Sequence, residues 1–188
     1  NQSKDSMLRS LFLARADVVC VSCYIWNISI VEDLITEYHK ISPKTKIWLG
    51  GPEVSYHAEE MLEQYPFLDG IMKGEGEITF RELAVYYQNQ ENGTEGKTLE
   101  EIHGITYRDA DGAVKSNPWR PVMDLSEVDF PYANLKKFEN RIIYYESSRG
   151  CPFSCSYCLS SIDKSVRFRS PALVLPELQF FLDRCVPQ

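Results

Sequence analysis

Ala16-Asp17-Val18-Val19-Cys20-Val21-Ser22-Cys23-Tyr24 is nearly continuous in small and β-branched residues, the composition of a parallel strand covered on both faces. Cys20 and Cys23 spell CxxC. Three residues apart on a strand they point to opposite faces, so they read as buried small apolar residues rather than a redox pair. Outward from this strand the pattern alternates. Upstream, Asp5 can cap a helix through about Ala14 with Met7, Leu8, Leu11 and Phe12 on one stripe. Downstream, Asn27 or Ser29 can cap a helix, with Ser29-x-x-Glu32 as a capping box, Ile30, Leu34, Ile35 and Tyr38 as its apolar face and Pro43 as its stop. Lys46 to Leu49 forms a second strand ending at Gly50-Gly51-Pro52, where a bare backbone permits a tight turn or the close approach of a ligand. A helix over Tyr56 to Tyr65 follows. Gly70-Ile71-Met72 is a third strand, ending at Lys73-Gly74-Glu75-Gly76-Glu77. The helix from Ile78 to about Gln88 places Phe80, Leu83, Ala84 and Tyr87 on one face.

Strands and helices joined by short links predict an α/β fold, a doubly wound, Rossmann-like parallel sheet over residues 1–90. Such sheets bind ligands beyond the carboxyl ends of their strands. Here those ends are Ser22 to Tyr24, Gly50-Gly51 and Gly74-Glu75-Gly76-Glu77, which would line one crevice. Residues 91–140 read as a linker. Asp109-Ala110-Asp111-Gly112 turns a small β-hairpin between Gly104–Arg108 and Ala113–Lys115, and Pro118, Pro121 and Pro131 suit an extended strap from Asn117 to Asn134. From 141 to 188 a new unit begins: Ile142-Ile143-Tyr144-Tyr145 reads as a buried strand, and Ser170-Pro171 or Leu175-Pro176 can start a helix through about Arg184, after Arg167 and Arg169 flanking Phe168.

With 188 residues, 44% hydrophobic, the chain has ample material for ordinary cores. No run is long enough to cross a bilayer and the N-terminus has no signal pattern, so a cytoplasmic location is the default expectation. A formal charge of −7 argues against a nucleic-acid-binding face made by net charge. Six cysteines do not form a disulfide-scaffold pattern. His39, His57 and His103 are each isolated and take no catalytic assignment.

The chemistry is concentrated in Gly150-Cys151-Pro152-Phe153-Ser154-Cys155-Ser156-Tyr157-Cys158, a CxxxCxxC loop. Thiolates are the usual ligands of iron-sulfur clusters, and a short loop opened by a glycine can fold three sulfurs around one side of a cube, leaving one iron open. Zinc would want a fourth protein ligand for a closed site, and the nearest histidine upstream is His103. A structural zinc protein stays as the weaker alternative.

CxxxCxxC with an aromatic residue just before the last cysteine resembles the signature of the radical S-adenosylmethionine (SAM) superfamily. That resemblance implies that Ile142 to Glu146 is the first strand of a partial (β/α) barrel and that Cys151, Cys155 and Cys158 hold a 4Fe-4S cluster whose open iron chelates SAM, with Tyr157 near the adenine. It also implies reductive cleavage of SAM to a 5'-deoxyadenosyl radical, with a reductant such as flavodoxin or ferredoxin and a substrate not named by these residues. The first half is similar to the cobalamin-binding domain that precedes the barrel in a large subgroup of the superfamily. Ser22 and Gly50-Gly51 match that domain's serine and Gly-Gly, whereas Tyr24 departs from the aliphatic residue expected there, and no DxHxxG loop occurs. Ser22, Gly50, Gly51, Gly74, Glu75, Gly76 and Glu77 are then the candidate cobalamin contacts. On this reading the chain is a fragment that begins after the DxHxxG strand and holds only the first βα unit of the barrel. A cobalamin-binding or sensor module without radical chemistry is the rival from another class.

Overall fold

A computed structural model describes residues 3–132, 134–138, 141–162 and 165–184, and divides the chain into two compact units, Asn1–Pro121 and Val122–Gln188. The first unit is built on a five-stranded sheet. Its elements are α1 (Lys4–Ala14), β1 (Val18–Ser22), α2 (Ile28–Ile41), β2 (Lys46–Gly50), α3 (Pro52–Ser55), α4 (Ala58–Gln64), β3 (Gly70–Met72), α5 (Gly76–Asn92), β4 (Ile105–Arg108) and β5 (Val114–Ser116). The expected alternation is present. β1, β2 and β3 pair in parallel with Ser22 opposite Gly50 and Gly50 opposite Met72, so their carboxyl ends finish level.

Side chains alternate across β2 and fill two layers. Ile47 and Leu49 join Val19, Ile35, Tyr38, Val54, Leu62 and Ile71 under α2 and α4, while Trp48 on the other face meets Met72, Leu83, Ile102, Ile105 and Tyr107 beside α5. α2 and α4 thus cover one face of the sheet and α5 part of the other, where β1 leaves Cys20 exposed.

The hairpin differs from its expected role as a linker. β4 pairs antiparallel with β3, Gly70 opposite Tyr107 and Met72 opposite Ile105, and β5 pairs with β4. It extends the main sheet because β3 would otherwise leave its outer hydrogen-bonding edge open. The turn itself forms as its sequence predicts: Asp109 Oδ1 accepts from the Asp111 and Ala113 amides, and Gly112 takes φ +84°.

Helix starts also moved. Ser3, not Asp5, caps α1 by accepting from the Ser6 amide at 3.3 Å. The Ser29–Glu32 box is not used; Asn27 occupies the N-cap of α2 and turns its side chain back to β1. The helix expected over Tyr56 to Tyr65 is split into α3 and α4, and α5 runs from Gly76 rather than Ile78. Cys23 is buried as expected, whereas Cys20 is exposed.

In the second unit, β6 (Ser148–Arg149) pairs antiparallel with β7 (Arg167–Phe168), and α6 (Pro171–Asp183) follows. Ile142 to Tyr145 makes no ladder, and Ile142 and Tyr144 are 76% and 79% exposed. A buried parallel strand exists only with neighbours to bond, and among the described residues none lies beside this run.

Candidate functional site

The parallel order of β1, β2 and β3 brings the loops after all three to one edge of the first unit. After β1 the chain makes a tight turn. The Cys23 amide donates to Gly50 O at 2.7 Å, Asn27 Nδ2 donates to Ser22 O at 2.9 Å, and Asn27 Oδ1 accepts from the Tyr24 amide at 2.7 Å. This turn presents Tyr24 and Trp26 as a stacked pair, ring centroids 4.7 Å apart, with Ile25 and Trp26 about three-quarters exposed, at 77% and 74%. The Cys23 thiol is pushed up to about 11, chiefly by burial, and is correspondingly inert as a nucleophile.

Gly51, directly after β2, adopts φ +102°, and a Cβ there would lie 2.5 Å from Cys23 O. Gly50 is buried in the ladder, and a Cβ at that position would make only ordinary contact with Met72 at 3.5 Å. Ser55, which the sequence reading did not single out, ties two of the loops together. Its hydroxyl donates to Gly51 O at 2.8 Å and accepts from the Gly74 amide at 3.1 Å. Its only sequence signal is its place three residues beyond Pro52, within the turn of helix that follows the glycine pair.

After β3, Lys73 is buried and donates from Nζ to Ser116 Oγ and Asn117 O, each at 2.9 Å, with the Trp119 ring centroid 5.4 Å away. Burial lowers its pKa, against a partly compensating Glu59 charge. Gly74 takes φ +72°, Glu75 is the N-cap of α5, and Gly76 and Glu77 form its first turn. Ser22, Gly74 and Glu77 are exposed and Gly51, Glu75 and Gly76 half-buried at this edge, whereas Gly50 is enclosed in the sheet. The edge therefore combines bare backbone with exposed Ile25, Trp26 and Tyr56. A broad, partly apolar ligand such as a corrin ring fits that surface. An open groove of about 1400 Å³ lies elsewhere in this unit, between α5 and Ala16, Asp17, Val18 and Lys44 to Lys46 near the strands' amino ends.

The CxxxCxxC loop of the second unit leaves β6 at Gly150, whose φ of +95° and whose would-be Cβ, 1.9 Å from Ser165 O, admit only glycine. Cys151 and Cys158 are half-buried and Cys155 exposed, none of them in a disulfide. The Cys158 amide donates to Cys155 O at 3.2 Å, closing the turn that carries Tyr157, which is 90% exposed. The described residues bring no three His, Cys, Asp or Glu side chains into a metal-ready group. Three reachable thiols on one short, closed loop are nonetheless the donor set an iron-sulfur cluster takes.

Residues 1–84 match the B12 binding domain family. The fold is shared with the solved structure of the cobalamin-dependent S-adenosylmethionine radical enzyme OxsB with aqua-cobalamin and S-adenosylmethionine bound, at a TM-score of 0.72 and 26% identity over 94% of this chain and 25% of that one. Residues 1–84 are thus a B12 binding domain, and along most of its length the chain resembles enzymes of the cobalamin-binding subgroup of the radical SAM superfamily. Among curated relatives of this subgroup, the cobalamin-dependent radical SAM methyltransferase TokK of Streptomyces tokunonensis is 29% identical over 78% of this chain and 22% of its own. The anaerobic magnesium-protoporphyrin IX monomethyl ester cyclase of Cereibacter sphaeroides is 25% identical over 94% of this chain and 30% of its own. The chain thus spans less than a third of either relative's length. The B12 binding match takes in Ser22, the Gly50-Gly51 turn and Gly74 to Glu77, while the three cysteines lie beyond it. Among the described residues no helix is long and apolar enough to cross a membrane.

Proposed function

We propose that this chain carries the cobalamin-binding unit and the cluster loop of an enzyme that cleaves SAM reductively and uses cobalamin in methyl transfer, oxidative cyclisation or rearrangement. The observation that carries the proposal is the presence, in one chain, of a B12 binding domain and a CxxxCxxC loop with Tyr157 before its last cysteine. When bound, a 4Fe-4S cluster supplies one electron to SAM, and cobalamin supplies a methyl carrier.

The chain's own residues do the holding. Cys151, Cys155 and Cys158 are the cluster's thiolates, and the Tyr157 ring, standing clear of the protein, offers a face to the adenine. On the first unit, the Gly74 to Glu77 backbone after β3 and the exposed Ile25 and Trp26 after β1 stand at the same end of the sheet, and these would meet the rim of the corrin. The electron would come from a flavodoxin or ferredoxin in the cytoplasm, and the substrate, whether a small molecule or not, is not named by these residues.

Anaerobic reconstitution of the full-length protein with iron and sulfide, read by low-temperature electron paramagnetic resonance with and without SAM, tests the reading. A reduced 4Fe-4S signal that shifts on adding SAM is expected. Cys155→Ala is expected to abolish that signal and SAM cleavage while cobalamin uptake persists. Uptake of zinc in place of iron, or cleavage unchanged in the variant, would refute the cluster assignment and leave a cobalamin-binding module.

A further inference from the structure

Arg167, Phe168 and Arg169 stand just beyond the cysteines. Arg167 on β7 and Arg169, the residue just after its end, flank Phe168, which is 70% exposed. Both arginines reach carbonyls of the strap before the cluster loop. Arg167 Nη1 donates to Met123 O at 2.8 Å, and Arg169 Nη1 donates to Leu125 O at 2.5 Å and Val128 O at 2.8 Å. Ser126 Oγ accepts from the Ser170 amide at 3.0 Å, adding a further tie between the same two segments.

The remaining donors of Arg169 go to α6. Nε donates to Glu177 Oε2 at 2.9 Å and Nη2 to Oε1 at 2.5 Å, a bidentate fork between side chains that are 8% and 11% exposed. Tyr145 Oη donates to the same carboxylate at 2.5 Å. The Arg169 amide donates to Ser147 O at 2.9 Å, where the chain enters β6 and then Gly150 and Cys151. One buried pair therefore joins four segments at the root of the loop: the strap, the run holding Tyr145 and Ser147, β7 and α6. Burying two charges is costly, and hydrophobic residues of the same volume would hold a plain core as well. The fork gives a fixed direction to each segment, which a hydrophobic contact does not.

We infer that Arg169 and Glu177 are positioning residues for the cluster loop: their buried fork, tied to the strap carbonyls and to Tyr145, fixes the β6–β7 root on which Cys151, Cys155 and Cys158 are carried. This inference rests on the cluster assignment proposed above. It requires that loosening the fork act on the loop before it acts on the fold.

The test uses the full-length enzyme with Glu177→Gln, Arg169→Lys and Tyr145→Phe, and reads amide hydrogen exchange of the cluster-free protein and iron content with paramagnetic line shape after reconstitution. Glu177→Gln and Arg169→Lys are expected to speed exchange at Ser148, Arg149, Phe168 and Arg169 by about tenfold or more relative to the mid-helix amides of α6, and to broaden or shift the reduced cluster signal. Tyr145→Phe keeps the fork and is expected to give about a threefold effect on the same amides. If the first two variants do not fold, Tyr145→Phe decides. Exchange that rises uniformly through the unit, or not at all, with iron content and line shape unchanged, overturns the inference. If the wild-type protein takes up no iron, the cluster assignment fails, and the exchange pattern alone judges the clamp.

Discussion

Gly51 and Gly76 lie at the same sheet edge, but a methyl group at each meets different surroundings. At Gly51 it would strike Cys23 O at 2.5 Å in a backbone conformation that side chains rarely adopt, while at Gly76 it would meet nothing within 4 Å. Gly51→Ala is therefore expected to cost about 2–3 kcal/mol by urea titration. Gly76→Ala is expected to be neutral or stabilising by about 0.5 kcal/mol. The sequence allows either a tight turn or ligand approach at Gly51, and the turn accounts for it: the atom that comes close belongs to the chain itself. A substitution there reports on the scaffold first and on cobalamin only through it. Trp26, 74% exposed, is the cleaner probe of the ligand. Trp26→Ala should change stability by no more than about 0.5 kcal/mol. Cobalamin affinity, followed by visible absorption, should fall several-fold in that variant, and an unchanged affinity would place the corrin away from the β1 turn.

At the scale of elements, the helices and strands of residues 16–92 were legible because each carries its own periodicity and its own stop, as Pro43 and the Gly50-Gly51 pair do. The partner of β4 was not. Asp109 to Gly112 announces a turn locally, but nothing local says that Ile105 will sit opposite Met72, since that pairing is a choice among distant edges. Ile142 to Tyr145 misled for the complementary reason: β-branched and aromatic residues describe a strand's taste for burial and cannot supply its neighbours. Nor could spacing reveal Ser55 or the Arg169–Glu177 fork, whose partners are brought together only by the fold. The attachment to α5 of the segments that flank the hairpin can be tested by acid. Burial works to raise the pKa of Glu82, but hydrogen bonds from Lys97 and Arg120 outweigh it and hold the carboxyl below the usual glutamate range. Its folded pKa is depressed, so its contribution is present above the unfolded value, 4.5, and lost as pH falls through the folded one. Thermal melts should therefore show wild type more stable than Glu82→Gln at pH 7, with the gap closing below about pH 4.5. A gap that stays constant to pH 3 would mean that the ion pair contributes nothing.

Across the whole molecule, the position of the hairpin decides how much chain the first unit needs. β3 has three residues, and among the described residues its outer edge is satisfied by β4. Ile102, Ile105 and Tyr107 close the second apolar layer over Trp48, whose Nε1 donates to Tyr87 Oη at 2.8 Å, and Ser116 and Asn117 receive the buried Lys73 ammonium. A chain cut at residue 90 would leave that layer open and Lys73 buried without its acceptors or else turned out to water. Losing three large apolar contacts at about 1.5–3 kcal/mol each would consume most of a small domain's margin of about 5–15 kcal/mol. Residues 1–121 made alone should thus unfold in a single cooperative thermal transition followed by circular dichroism, and residues 1–90 should show none, or a midpoint lower by more than about 15 °C. Equal midpoints would mean that the three parallel strands and their helices are self-sufficient, and that the hairpin is a lodger on the sheet edge. Because the B12 binding match ends at residue 84, that outcome would also detach the hairpin from the cobalamin unit, whereas the expected one makes residues 91–121 part of what holds the crevice in shape.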